Sequence, residues 1–116
     1  ETCRTHISSV VHGRLVLIPV QEIRYFKADL KYVTVGWPGH EALIDDPLKA
    51  LEEEFGDRFL RIHRNALVAP GHVASLRKDG DGNLRISLRG TPEHLTVSRR
   101  HAGVVRNRLK NLSLSD

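Results

Sequence analysis

Four side chains able to donate hydrogen bonds stand together in residues 58–69, RFLRIHRNALVA: Arg61, His63, Arg64 and Asn65. Guanidinium, imidazole and carboxamide groups at this spacing suit an anion or the edge of a nucleobase. Phe59, Leu60 and Ile62 flank them on one side, and Ala66, Leu67 and Val68 on the other. The pattern predicts a buried strand, an exposed turn and a second buried strand, which is a rigid mount for nucleic-acid contacts. Arg64 and Asn65 fall at the turn tip. Arg61 and His63 alternate with apolar residues, so at least one of them is expected to face inward, and the pair to brace the turn, with the sequence leaving open which of the two faces DNA. A lone histidine among apolar neighbours is more often a satisfied structural group than a ligand.

A second basic point follows Ser98, which can cap a helix over about 99–110. Arg99 and Arg100 then sit where free amides and the positive helix end favour an anion. Val105, Leu109 and Leu112 form the apolar stripe of that helix. A third point lies at Lys31 and Tyr32, with Lys27 nearby, in the joint between strands at about 23–28 and 32–37.

Catalytic and metal-binding patterns are missing. The seven histidines make no HxH or HExxH spacing, no CxxC exists, and there is neither GxSxG nor GxxxxGK[ST]. His63-Arg64-Asn65 lacks the aspartate of a kinase catalytic loop. Asp79, Asp81 and Asn83 begin like a calcium loop, but Leu84 and Gly90 occupy the places that need Gly and Glu. Glu52, Glu53 and Glu54 have no His or Cys at ligand spacing and are expected to form a solvated helix face. No enzyme activity, cofactor or metal is expected.

The elements that must position these groups are mostly strands. At 116 residues the chain is one domain, with 40% hydrophobic and 28% charged residues. Residues 1–9 are expected to be a linker or an edge strand, and the start without Met points to a piece of a longer protein. A turn at His12-Gly13 leads to an apolar run at 15–18, and one helical turn follows Pro19. Further short strands fall at 42–44, 73–76, 84–88 and 94–97, with turn residues between. Asp46 is expected to cap a helix at about 47–55 with Pro47 in its first position, Leu48, Leu51 and Phe55 on its apolar side, and Gly56 as its stop.

Net charge is +4, unevenly spread. Residues 41–57 carry −6, whereas residues 58–90 carry +5 and residues 94–116 carry +4. One face is therefore expected to meet a polyanion, with an acidic face turned away. At 5% aromatics, a stacking platform for single strands is poorly supplied. One cysteine, no signal peptide and no long apolar run place the chain in the cytoplasm, with no membrane partner.

Three segments resemble the LytTR DNA-binding domain, the output module of LytR/AlgR-type response regulators, and most closely its alginate-regulator branch. Ile23-Arg24-Tyr25-Phe26 with Lys31-Tyr32-Val33-Thr34 is similar to the family's paired strands. Phe59-Leu60-Arg61-Ile62-His63-Arg64-Asn65 is similar to its F-x-R-x-H-R-S core. Leu95-Thr96-Val97-Ser98-Arg99-Arg100 is similar to its closing V-S-R motif. The resemblance implies an elongated, mostly β fold of antiparallel sheets packed in series over 10–112, with a tail at 113–116. It also implies sequence-specific double-stranded DNA binding from three loops. By position these are residues 29–33, with Lys31 and Tyr32; the turn at Arg64 and Asn65; and Arg99, with Arg100 and His101 beside it. Arg99 is expected to read a guanine edge, while Arg64, Arg61 and Lys31 hold phosphates. A homodimer on repeated promoter sites and an upstream receiver domain are implied as partners. Asn65 departs from the usual Ser and Lys27 from a frequent Glu, which bears on the preferred sequence. The rival expectation is a β-rich RNA-binding or protein-interaction module.

Overall fold

A computed structural model describes residues 3–113. Residues 1–2 of the expected linker and 114–116 of the expected tail lie outside that span. The strands are β1 (His6–Val11), β2 (Arg14–Pro19), β3 (Tyr25–Ala28), β4 (Val33–Trp37), β5 (His40–Ile44), β6 (Leu60–His63), β7 (Ala66–Val68), β8 (Val73–Lys78), β9 (Leu84–Leu88) and β10 (His94–Val97). Two α-helices join them, α1 (Leu48–Phe55) and α2 (Arg99–Ser113). All pairings are antiparallel. They make a β1–β2 hairpin, a five-stranded sheet ordered β5-β4-β3-β7-β6 and a three-stranded sheet ordered β10-β9-β8. The expected mostly β arrangement of antiparallel sheets is the one observed, with extents of 41 × 32 × 24 Å.

The five-stranded sheet is buried on both faces, and period-two alternation sorts its residues between two cores. Phe26, Val33, Val35, Ala42, Ile44 and Leu67 point to the core under α1 and the β1–β2 hairpin. Tyr25, Leu60, Ile62, Ala66 and Val68 point to the core under the three-stranded sheet and α2. Phe59 sits edge-on to Phe26, with centroids 4.9 Å apart, and to Phe55 of α1 at 5.7 Å. The Tyr25 ring lies across Gly36, its register partner on β4. A Cβ there would stand 2.1 Å from the ring, so only glycine fits. The Tyr25 hydroxyl donates to Glu41 at 2.7 Å. Burial, reinforced by that carboxylate, pushes the phenol well above its ordinary range.

Residues 6–9, expected as linker or edge strand, begin β1, which is closed onto β2 by a two-residue turn. His12 and Gly13 both take positive φ there, 51° and 76°, as the mirror-image hairpin turn requires. Ser9 ties the hairpin to β5 by donating to the Leu43 carbonyl at 2.6 Å. The single helical turn after Pro19 is present at residues 20–22.

The start of α1 differs from expectation. Pro47 is extended and precedes the helix rather than occupying its first position, and no side chain caps it. Asp46 instead accepts from Arg4 at 3.0 Å. Gly56 does end the helix, with φ 55°. The three glutamates are not simply a solvated face either. Glu54 is gripped by the Arg4 guanidinium and backbone amide, and Glu52 by Arg61. Hydrogen bonds from the Arg4 side chain hold the Glu54 carboxyl below its ordinary range. The C-terminal helix runs past residue 110 to Ser113. Its core-facing stripe comprises buried Val105 with half-buried Ala102 and Leu109, while Leu112 is 41% exposed.

Candidate nucleic-acid interface

β6 and β7 meet in a two-residue tip at Arg64 and Asn65. Neither takes positive φ, and a register shift between Arg61 and His63 accompanies the tip. Three contacts fix it. The Arg61 guanidinium donates through Nη1 to the Arg64 carbonyl at 2.6 Å and through Nη2 to the Glu52 carboxylate at 2.8 Å. The Asn65 amide donates to Nδ1 of His63 at 3.1 Å. The Ala28 amide at the end of β3 donates to the Asn65 carbonyl at 2.8 Å. Arg61 is thereby committed to a carboxylate and a carbonyl.

The same bonds gather the three loops that sequence placed far apart. Through Ala28–Asn65 the end of β3, and hence the 29–32 loop, adjoins the β6–β7 tip. That loop is closed by the Asp29 amide donating to the Tyr32 carbonyl at 3.0 Å, and Leu30 stands fully exposed on it. Through Ser98–Ile62, an amide-to-carbonyl bond of 2.9 Å, the start of α2 docks beside β6. Lys31, Tyr32, Arg64, Asn65, Arg99 and Arg100 are all exposed along this edge. Among the described residues, the side chains of Lys31, Arg64, Arg99 and Arg100 make no hydrogen bond or ion pair. Lys27 is exposed but faces Glu93 at 3.7 Å.

His101 is half-buried. Its Nδ1 meets the Ser98 hydroxyl at 2.7 Å, and its amide donates to the Ser98 carbonyl at 3.0 Å. Burial, then the charges of Arg100, Arg61 and His63, lower its imidazole below the ordinary histidine value, with Glu52 opposing. At neutral pH the ring is therefore an uncharged brace within the edge. The edge offers exposed, unpartnered cations on tied-down backbone, which suits phosphates and base edges. Among the described residues no group of three or more His, Cys, Asp or Glu is placed to hold a metal. No helix among them is long and apolar enough to cross a membrane.

Sequence reasoning missed Glu52 as the partner of Arg61. The excess of glutamate beside an inward-facing arginine was the available signal. It also passed over Arg77, whose strand alternation places it on the outer face of β8.

The family model of the LytTr DNA-binding domain matches residues 13–110. The positive alginate biosynthesis regulatory protein of Pseudomonas aeruginosa is 47% identical over 110 residues, covering 94% of this chain and 44% of that protein. An uncharacterised response regulatory protein of Yersinia pestis is 27% identical over 104 residues, covering 90% of this chain and 42% of that protein. The chain thus spans less than half the length of these two relatives. A solved LytTr DNA-binding domain from Bacillus cereus shares the fold, with a TM-score of 0.80 at 20% identity, over 91% of this chain and 97% of that one.

Proposed function

The chain belongs to the LytTR DNA-binding domain family, and on that premise we propose that it binds double-stranded DNA sequence-specifically as the output domain of a two-component transcription regulator. One observation carries the reading: three loops converge on a single edge whose cations Lys31, Arg64, Arg99 and Arg100 lack partners among the described residues, while neighbouring arginines are tied down. Arg99, projecting from the first turn of α2, reads a guanine edge through two parallel hydrogen bonds. Arg64 and Lys31 hold phosphates and set register. Asn65 offers an amide to a base edge or a phosphate, with Tyr32, Arg100 and His101 beside these contacts. Arg61 and His63 hold the tip in shape. On the same reading a receiver domain lies upstream in the full-length protein, and two copies occupy a repeated promoter site.

Selection of duplexes from a random pool tests this. One enriched site is expected, bound with two chains per duplex. On it Arg99→Ala costs about 1–3 kcal/mol and relaxes one base position. Lys31→Ala instead flattens the dependence of affinity on salt, by about 0.9 in slope for one phosphate. A pool that yields no enriched sequence sinks the reading. Equal weakening of Arg99→Ala on every sequence moves Arg99 to the backbone, and one chain per duplex retires the dimer.

A further inference from the structure

The three-stranded sheet turns Leu76, Ile86, Leu88, Leu95 and Val97 to the core. Its other face is polar throughout. Alternation places Ser75 and Arg77 of β8, Arg85 and Ser87 of β9, and His94 and Thr96 of β10 on that outer side. Register aligns them in rows across the strands. Arg77 and Thr96 both lie opposite Arg85, and Ser75 and His94 both lie opposite Ser87. Hydroxyls and cations thus fill the face, and none of these strand positions supplies a carboxylate.

Of the acids at its rim, Asp79 and Glu93 are occupied, while Asp81 in the β8–β9 turn is exposed. Asp79, in the β8–β9 turn, accepts from Nε of Arg85 at 3.2 Å and from the amides of Asp81 and Asn83. Those bonds, the Asn83 amide foremost, hold its carboxyl below the ordinary range. Glu93 pairs with Lys27. Arg77 has no ion-pair or hydrogen-bond partner among the described residues. It also sits directly across from Arg85, an arrangement of like charges that opposes folding.

This face is continuous with the loop edge. One groove is lined by Lys27, His63, Asn65, Arg85, His94 and Thr96. The next is lined by Arg77, Lys78, Asp79, Arg85 and His94. Arg85 and His94 belong to both, so a polar path runs from the Asn65 tip to Arg77. We propose that the outer face of the three-stranded sheet, with Arg77 at its far end, is a fourth contact for the DNA backbone. It carries bound duplex beyond the base pairs that the three loops reach. The inference rests on the reading that the chain binds duplex DNA. The Ser75 and Ser87 hydroxyls bond each other at 2.6 Å, so one of that pair, with Thr96, is left to donate to phosphate oxygens, and the unpaired guanidinium supplies the charge.

The test uses a duplex recovered by random-pool selection, extended on each side by ~10 base pairs, about one helical turn. Arg77→Ser is expected to weaken binding about five- to tenfold at 0.1 M salt and to lower the salt slope by about 0.9. Base preference stays the same, and thermal stability does not fall. Arg77→Lys restores affinity and slope. An unchanged slope in Arg77→Ser, with wild type bound normally, overturns this contact alone and leaves the face to an acidic protein partner. A slope loss that Lys does not restore assigns Arg77 a structural role and overturns it too. Wild type that binds no duplex removes both this contact and the reading beneath it.

Discussion

The root and the tip of the β6–β7 hairpin hold their arginines in opposite ways. Arg61 at the root spends its guanidinium on Glu52 and on the Arg64 carbonyl, three residues ahead. Arg64 at the tip lends only that carbonyl, and its own side chain is exposed with no partner among the described residues. A fixed arginine shapes backbone but has little left to offer a ligand. A free one keeps its conformational entropy and its five donors until a ligand arrives. The same division runs through the molecule. Arg4 is fixed by Asp46 and Glu54, and Arg24 by the carbonyls of Arg89 and Glu22. Arg99 and Arg100 have no partner among the described residues. Fixed arginines mark where the fold is held, and unpartnered ones keep their donors available to a ligand.

The largest expected effect separates the two members of the hairpin. Arg61→Ala removes two charge-assisted contacts from a side chain only 20% exposed, and is expected to cost about 1–3 kcal/mol in denaturant unfolding. Glu52→Gln, whose side chain is 40% exposed, is expected to cost less than about 1 kcal/mol. Arg64→Ala is expected to stay within about 0.5 kcal/mol of wild type, while DNA affinity falls. Equal destabilisation by Arg61→Ala and Arg64→Ala would erase the distinction between root and tip.

That distinction was only half legible in the sequence. Period-two alternation around Ile62 indicated that at least one of Arg61 and His63 leans inward and that Arg64 and Asn65 lie at a turn. Gly13 marked the first hairpin, and Ser98 marked the start of α2. The partners were not legible, because they come from elsewhere in the chain. Glu52 belongs to a helix whose orientation over the sheet no local pattern states. Asp46 carries every local sign of a helix cap, yet Arg4, 42 residues earlier, takes it. Most of all, the convergence of the three loops depends on the Ala28–Asn65 and Ser98–Ile62 bonds. The first follows from β7 pairing with β3 as well as with its hairpin neighbour β6, and the second from β10 and α2 docking against β6. Strand order is a non-local property, and alternation along one strand is blind to it.

A smaller effect concerns the brace that α2 adds to the root. His101 is held below the ordinary histidine value of about 6.5, so the fold favours its neutral form. The unfolded chain then takes up the proton more readily. Its contribution to stability is full above about pH 6.5 and is lost as pH falls below that value. The depressed carboxyls of Glu54 and Asp79 act only at lower pH, beneath their ordinary values of 4.5 and 3.8, so the windows do not overlap. Denaturant midpoints measured from about pH 7 to about pH 5.5 should fall for wild type and fall less for His101→Gln. Parallel curves for the two proteins would show that His101 does not couple to the fold.

The smallest effect has the most diagnostic sign. The first turn of α2 contains no acidic residue, so Arg99 and Arg100 sit unneutralised at the positive end of the helix. Cations there work against the helix by about 0.3–1 kcal/mol each. Arg99→Ala is therefore expected to raise stability by a few tenths of a kcal/mol, in the same protein whose affinity for the selected duplex falls. A root arginine must lose stability when truncated. A free arginine kept for a ligand can gain it, because its charge opposes the fold that presents it. A clear loss of stability in Arg99→Ala would mean that Arg99 is held by the fold after all, and would move it to the side of Arg61.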